Sequence, residues 1–267
     1  MRSVSGYGRS RAMSDVAERQ MRHWALDLQT KERLEEEPAR EEVPQLIHPY
    51  IAINREAGTD ATSIAMAVAS KCGWKLMDRE LLDYLAEQEH LSRLALEFVD
   101  ERTVSWFHEM FGKWLESKLV SQAEYVSRLG KLVLLAAQHE SLVFVGRGVQ
   151  FMLPRERGLA VRLIAPLKQR IHSLMQQNEC GEREAKRLAA DLDNNRAQFV
   201  QRYFHHDNAD PHLYDLVVNL GYVPREEAVN LIANAAKKHA ARLATASSGR
   251  ASAERQLHRL DMSHSVK

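Results

Sequence analysis

The chain has 267 residues, 45% of them hydrophobic and 27% charged, with a formal net charge of +1. This allows one good-sized domain with tails, and the near-neutral balance argues against a whole-molecule polyanion binder, so nucleic acid is not an expected partner. Two distant cysteines, Cys72 and Cys180, without partners at metal spacing point to a reducing compartment; with no apolar run near the roughly 18 residues of a membrane span and no signal-peptide core at the N-terminus, the chain reads as cytoplasmic and free of membrane.

Residues 1–13 are rich in Ser, Gly and Arg, the composition of a disordered tail. From Ser14 the pattern is helical, with Met21, Trp24, Ala25 and Leu28 on one stripe. That helix is expected to dock on the core domain or on a second copy of it. The helical segments are therefore candidates for a homo-oligomer contact, and the terminal segments for a protein partner. Glu35, Glu36, Glu37, Pro38 and Pro44 mark a linker that completes a 14–48 segment, and the main domain is expected over 49–242.

Tyr50 to Ile53 is a short apolar run of the kind buried in a parallel sheet. Ile64, Ala65, Val68 and Ala69 then repeat at helical spacing, with Thr62 or Ser63 as cap and Gly73 as left-handed C-cap. A strand running through a tight loop into a helix offers unpaired backbone N–H groups and the positive end of a helix dipole, which suits phosphate. The loop's own chemistry is less favourable. Against GxxxxGK[ST], Arg55 takes the first glycine position, Asp60 the second and Ala61 the lysine; Gly58 and the hydroxyls of Thr62 and Ser63 remain. An ionised Asp60 about 5 Å from a phosphate charge would cost on the order of 3 kcal/mol at an effective dielectric near 20.

Trp74 to Met77 predicts a second strand, followed by Asp78-Arg79-Glu80 and a helix to about Glu89, with Asp78 either facing ligand or capping that helix. Residues 91–139 carry only helical signals: Leu94 and Phe98; then Trp106, Phe107, Met110, Phe111 and Trp114; then Val120, Tyr125, Leu129 and Leu132. This block reads as a helical insertion that either covers the site or forms one wall of it. Leu142 to Val145 is a third strand running into Gly146-Arg147-Gly148, and Leu159 to Ala165 a fourth. Pro166 opens a long polar helical stretch, about 166–204, broken near Asn178 to Gly181. Leu216 to Val218 is the last strand, and Pro224 opens a helix that buries Val229, Leu231, Ile232 and Ala236; 243–267 reads as a disordered, mildly basic tail. The order predicts an α/β fold, a doubly wound parallel sheet with helices on both faces and ligand at the carboxyl ends of the strands.

Arginines gather at that edge. Arg147, between two glycines after a buried strand, is placed to present a bidentate donor, and Arg170, Arg196 and Arg202 follow on the polar helices. Such a set around a helix N-terminus fits phosphoryl transfer, where a protein mainly positions phosphates and offsets charge.

Six motifs recur in order: Ile-Asn-Arg-Glu-Ala-Gly at 53–58, Asp-Arg-Glu-Leu-Leu at 78–82, Val-Gly-Arg-Gly at 145–148, Ala-Pro-Leu-Lys-Gln-Arg-Ile at 165–171, Asp-Asn-Asn-Arg-Ala at 193–197 and Tyr-Asp-Leu-Val-Val-Asn at 214–219. Together they resemble the cytidylate-kinase-like proteins, relatives of the nucleoside monophosphate kinases, across roughly Ile51 to Ala236. The resemblance implies a sheet of P-loop kinase type with a helical insertion and a helical lid, using ATP and Mg²⁺ to phosphorylate a nucleoside monophosphate such as CMP. It implies that Arg55, Gly58, Thr59, Thr62 and Ser63 form the ATP phosphate loop, with Ser63 on the metal. Asp78, Arg79, Gly146 and Arg147 would meet the acceptor, and Arg147, Arg170 and Arg196 would be catalytic. The chain departs from that family where two loop glycines and a basic residue are replaced and where no acid flanks the Gly146-Arg147 pair. The alternative is a nucleotide-binding or regulatory protein that keeps the fold and has lost turnover. Replacing Arg147 by Ala is expected to abolish turnover with little effect on stability.

Overall fold

The computed structural model describes residues 47–87 and 120–264. The helix of Met21 to Leu28, the linker, and the aromatic segments from Leu94 to Trp114 lie outside them. Five parallel strands form one sheet: β1 (Tyr50–Arg55), β2 (Lys75–Met77), β3 (Leu142–Val145), β4 (Gly158–Ile164) and β5 (Leu216–Asn219), in the order β2-β3-β1-β4-β5. The central strand pairs Tyr50 with Leu142 on one side and with Gly158 on the other.

α1 (Ala61–Cys72) stands between β1 and β2, α2 (Arg79–Glu87) and α3 (Val120–His139) between β2 and β3, and α4 (Leu167–Asn178) and α5 (Glu182–Phe204) between β4 and β5; α6 (Arg225–His264) follows β5, and only two short 3₁₀ turns, Val149–Phe151 and Arg155–Arg157, lead from β3 to β4. The period-2 alternation of a strand divides the helices between two layers. Tyr50, Ala52, Leu142 and Phe144 face α3 and the start of α2, where Leu82, Leu129, Leu132 and Val133 are buried. Ile51, Ile53, Val143, Val145 and Val161 face the other way, onto Ile64, Ala65 and Val68 of α1 and Ala228 and Ile232 of α6. A sheet apolar on both faces must be covered on both faces, which is why the sequence alternates strand and helix. A third, smaller cluster joins α4 and α5 to the first loop through Ala57, Ile171, Leu174, Ala185 and Ala189.

The expected strands are present, displaced by a residue or two at their ends. Three expectations are corrected. Thr62 and Ser63 do not cap α1; the helix begins at Ala61 after Asp60 in the left-handed region, so both hydroxyls lie inside the first turn. Leu231 is half exposed, because the buried stripe of α6 runs through Ala228, Val229, Ile232 and Ala236. Finally, the backbone past 243 is helical and continues to His264, where a disordered tail was expected. That segment is rich in Ala, Ser and Arg and contains one glycine and no proline, so no strong helix breaker stops the helix. Among the described residues no helix is long and apolar enough to cross a membrane.

Candidate active site

The carboxyl ends of β1, β2 and β3 bring together three of the predicted motifs. Asn54 and Arg55, then Arg79, then Gly146-Arg147-Gly148 line one cavity of about 100 Å³, and α5 closes it with Leu192, Asn195, Arg196, Phe199 and Val200. Arg55, Arg79, Arg147 and Arg196 thus face one small space. In a low-dielectric cleft such a set is built for an anion.

The first loop leaves β1 by one more rung of the ladder, Glu56 N–H donating to the carbonyl of Leu163 at 3.0 Å. Gly58 then turns through φ +81°, and its bare Cα lies against the backbone carbonyl of Arg170, where a Cβ would overlap. The start of α4 is therefore packed directly on the loop. Thr59 is buried and donates its hydroxyl to the Glu56 carbonyl at 2.8 Å, so it braces the loop from within. Asp60 adopts φ 49°, a conformation that Asp tolerates better than most residues. Its carboxylate pairs with Arg225 at 3.4 Å, which offsets part of the repulsion expected from its charge. Thr62 is exposed and Ser63 half-buried in the first turn of α1, whose leading N–H groups have no helical acceptor by construction.

Over the loop lies a network of ionic contacts that the sequence did not reveal. Asp193 on α5 accepts from the Ala57 N–H at 2.7 Å, from Arg170 Nη1 at 2.7 Å and from Arg196 Nη1 at 3.0 Å. Glu56 accepts from the Ala165 N–H at 3.1 Å and pairs with Arg170 Nε at 3.3 Å. Arg170 and Arg196 both meet Asp193, which holds the first loop, so each arrives bound to an acid. Burial lowers the Arg196 guanidinium from its ordinary value more than Asp193 raises it, and its Nε is buried without an acceptor among the described residues.

Arg147 is at φ 57° between two glycines that are also left-handed, φ 84° and 67°. A non-glycine residue there costs about 1–3 kcal/mol and persists only where surrounding contacts hold it. Asp83 of α2 supplies them, accepting from Nε at 2.7 Å and also from Nη2, while Tyr125 donates to the same carboxylate at 2.6 Å. The guanidinium lies 5.8 Å from the Tyr125 ring centroid and 5.2 Å from that of Phe199. Burial alone would raise the Asp83 carboxyl, but the bonds from Arg147 and Tyr125 outweigh it and hold it below the usual carboxylate range. The acid that the sequence lacks beside Gly146-Arg147 is thus delivered from another helix. Since Arg147 also ties α2 to β3, replacing it would cost stability, contrary to the expectation of a nearly neutral change.

Asp78 caps α2, accepting from the Leu81 N–H at 2.9 Å, and lies close enough to Arg55 to act on its charge. Arg79 pairs with Asp83 at 3.3 Å and is partly exposed at the cavity rim. Arg202, on the far turn of α5, lies over the Tyr203 ring and is not among the cavity residues. The residues that sequence reasoning missed, Glu56, Asp83 and Asp193, share one weak signal: each stands in or one turn from an arginine-bearing motif. Local helical spacing links Asp193 with Arg196 and Asp83 with Arg79, but nothing local links Asp83 with Arg147 or Asp193 and Glu56 with Arg170.

The loop's backbone fits phosphate: a left-handed glycine, a helix N-terminus and a floor closed by α4. Its side chains do not supply the usual lysine, and the cations come instead from β1, β3, α4 and α5. Fold and site together define a kinase-like α/β protein of the phosphate-loop class. The chain belongs to the cytidylate kinase-like family, whose profile matches residues 50–222. Among solved structures, an uncharacterized protein from Eubacterium ventriosum ATCC 27560 is similar with a TM-score of 0.59 and 20% identity, over 72% of this chain and 99% of its own. A shikimate kinase from Bacteroides thetaiotaomicron gives a TM-score of 0.40 and 15% identity, over 71% of this chain and 98% of its own. For a gluconokinase from Sinorhizobium meliloti 1021 the values are 0.38 and 14%, over 76% and 98%. At these identities the likeness is one of fold. A search of curated proteins gives no match.

Proposed function

We propose that the chain is a phosphotransferase that moves a phosphoryl group from ATP to a nucleoside monophosphate such as CMP. The observation that carries this reading is the convergence of Arg55, Arg79, Arg147 and Arg196 on one cavity beside a strand-loop-helix phosphate site. Backbone N–H groups from Gly58 to Ser63 would hold the donor phosphates, and the Ser63 hydroxyl would hold Mg²⁺, which would offset charge between them. ATP would supply the phosphoryl group; an acceptor phosphate oxygen would form the new bond to phosphorus as the bond to the departing ADP breaks.

The chain's own part is positional and electrostatic. Arg147, fixed by Asp83 and two rings, orients the acceptor phosphate. Arg170 and Arg196 carry the charge that spreads over the transferring group, and Asp193 yields them as phosphate arrives. The α4–α5 pair excludes water, the competing acceptor, by closing on the loop through Ala57 and Gly58.

The test is calorimetric titration of CMP and of Mg-ATP into the full chain, followed by a coupled turnover assay on the same sample. Binding of both with turnover is the expected result; no turnover with any monophosphate defeats the reading. A second reading, a nucleotide-binding protein without turnover, is favoured by Ala61 at the lysine position and by Asp193 on the loop's own N–H. It predicts CMP binding without Mg-ATP binding, and recovery of Mg-ATP binding when Asp60 and Ala61 are both replaced by Gly.

A further inference from the structure

Each arginine expected to be catalytic is held by an acid: Arg147 by Asp83, Arg170 by Glu56 and Asp193, Arg196 by Asp193. Arg55, expected in the phosphate loop, differs. It is the last residue of β1, and its guanidinium passes beneath Gly146, where any Cβ would overlap Nη1. Among the described residues no acceptor contacts it. Burial, and then the facing guanidinium groups of Arg196, Arg79 and Arg147, press it down to about 9, with Asp78 the opposing charge. Asp78 already spends a carboxylate oxygen on the Leu81 N–H.

A partly buried cation facing three others is unfavourable unless an anion belongs to the site. A second observation points the same way: the Arg196 Nε, on the same cavity wall, is a buried donor without an acceptor among the described residues. The cavity, about 100 Å³, has room for a phosphate group among its four arginines. We infer that Arg55 is the anion anchor of this cavity, gripping the dianionic phosphate of a phosphate monoester from beneath and supplying the positive charge that Ala61 cannot. Its place in catalysis rests on the phosphotransferase reading; its grip on phosphate does not. The phosphate has two sources, an acceptor monophosphate or the terminal phosphate of a nucleoside triphosphate, and the test separates them.

Inorganic phosphate, CMP and Mg-ATP are each titrated into the full chain as wild type, Arg55→Gln and Arg55→Lys, and the unfolding temperature of each is measured with and without phosphate. Wild type binds phosphate and CMP. Arg55→Gln weakens both by roughly ten- to a hundredfold, as loss of a charge-assisted contact does, and Arg55→Lys restores part. Without ligand, the Gln variant unfolds at or above the wild-type temperature, since an unmatched, partly buried charge has gone, and phosphate no longer raises it. A purely structural arginine would lower it. Weakened CMP with unchanged Mg-ATP assigns the acceptor phosphate, and the reverse assigns the donor. The inference is overturned by a wild type that binds none of the three, by a Gln variant that binds all three as wild type does, or by a ligand-free unfolding temperature that drops in that variant. Absence of turnover alongside Arg55-dependent phosphate binding defeats the phosphotransferase reading alone. Turnover with an unchanged KM in Arg55→Gln defeats the inference alone.

Discussion

Replacing Asp193 by Ala separates two jobs that one carboxylate performs. In the structure it fastens α5 to the phosphate loop, accepting from Ala57 N–H, Arg170 and Arg196 at 2.7, 2.7 and 3.0 Å. Bonds to charged groups contribute about 1.5–3 kcal/mol each, but the group is about one-third exposed and the contacts are not additive, so the loss is about 2–4 kcal/mol. For a domain of this size that lowers the unfolding temperature by roughly 5–15 °C. The same carboxylate repels any phosphate that reaches the loop. At about 5 Å and an effective dielectric near 20 the repulsion is on the order of 3 kcal/mol, and solvent reduces it to about 1–3 kcal/mol. Its removal frees two guanidinium groups and should tighten phosphate and Mg-ATP binding by roughly five- to a hundredfold. Thermal unfolding and calorimetry on the same samples read both effects, and Asp193→Asn should fall between. If binding weakens together with stability, Asp193 organises the arginines for the ligand, and the idea that it competes with phosphate is wrong.

Asp83→Asn should cost about 1–3 kcal/mol at neutral pH, by removing the negative charge and one of the two acceptor oxygens that hold Arg147 and Tyr125. Because the folded carboxyl sits below its ordinary value, its contribution is present above the unfolded value of about 4 and is lost as pH falls through the folded one. The gap between wild type and variant in an acid titration should therefore hold down to about pH 5 and close below it, and a gap constant to pH 3 refutes the assignment. Gly58→Ala adds a left-handed backbone cost of about 1–2 kcal/mol and overlap with the Arg170 carbonyl, so denaturant unfolding should show a loss of about 2–5 kcal/mol. Cys72, half-buried with its thiol pushed up by burial, should react with a thiol reagent near neutral pH more slowly than a free cysteine, and an equal rate would show the residue to be open to solvent.

The sheet was legible because its strands are buried on both faces: Tyr50 to Ile53 and Leu142 to Val145 carry no polar residue, and only a strand covered from both sides can be written that way. The arginines were legible through their surroundings, a glycine pair at Arg147 and a strand end at Arg55. Their distant partners were not, since Asp83 and Arg147 are 64 residues apart and Asp193 and Arg170 are 23. Pairings at that distance are decided by how helices settle on the sheet. Asp60 misled for a related reason: its charge was evident in the sequence, while Arg225 opposite it was not. The extension of α6 was missed because composition was read as disorder where no strong helix breaker stops the helix.

The place of β1 at the centre of the sheet has a consequence for biosynthesis. Both of its neighbours come late: Tyr50 pairs with Leu142, about ninety residues on, and with Gly158 after that. At a synthesis rate of about 5–20 residues per second, β1 waits on the order of 5–20 s for its first partner. During that interval the Tyr-Ile-Ala-Ile segment is a bare apolar strand with both edges open, the kind of segment that pairs with other chains. α1 follows at once and can shelter Ile51 and Ile53 on one face, so the order of elements gives the nascent chain partial cover before the sheet can form.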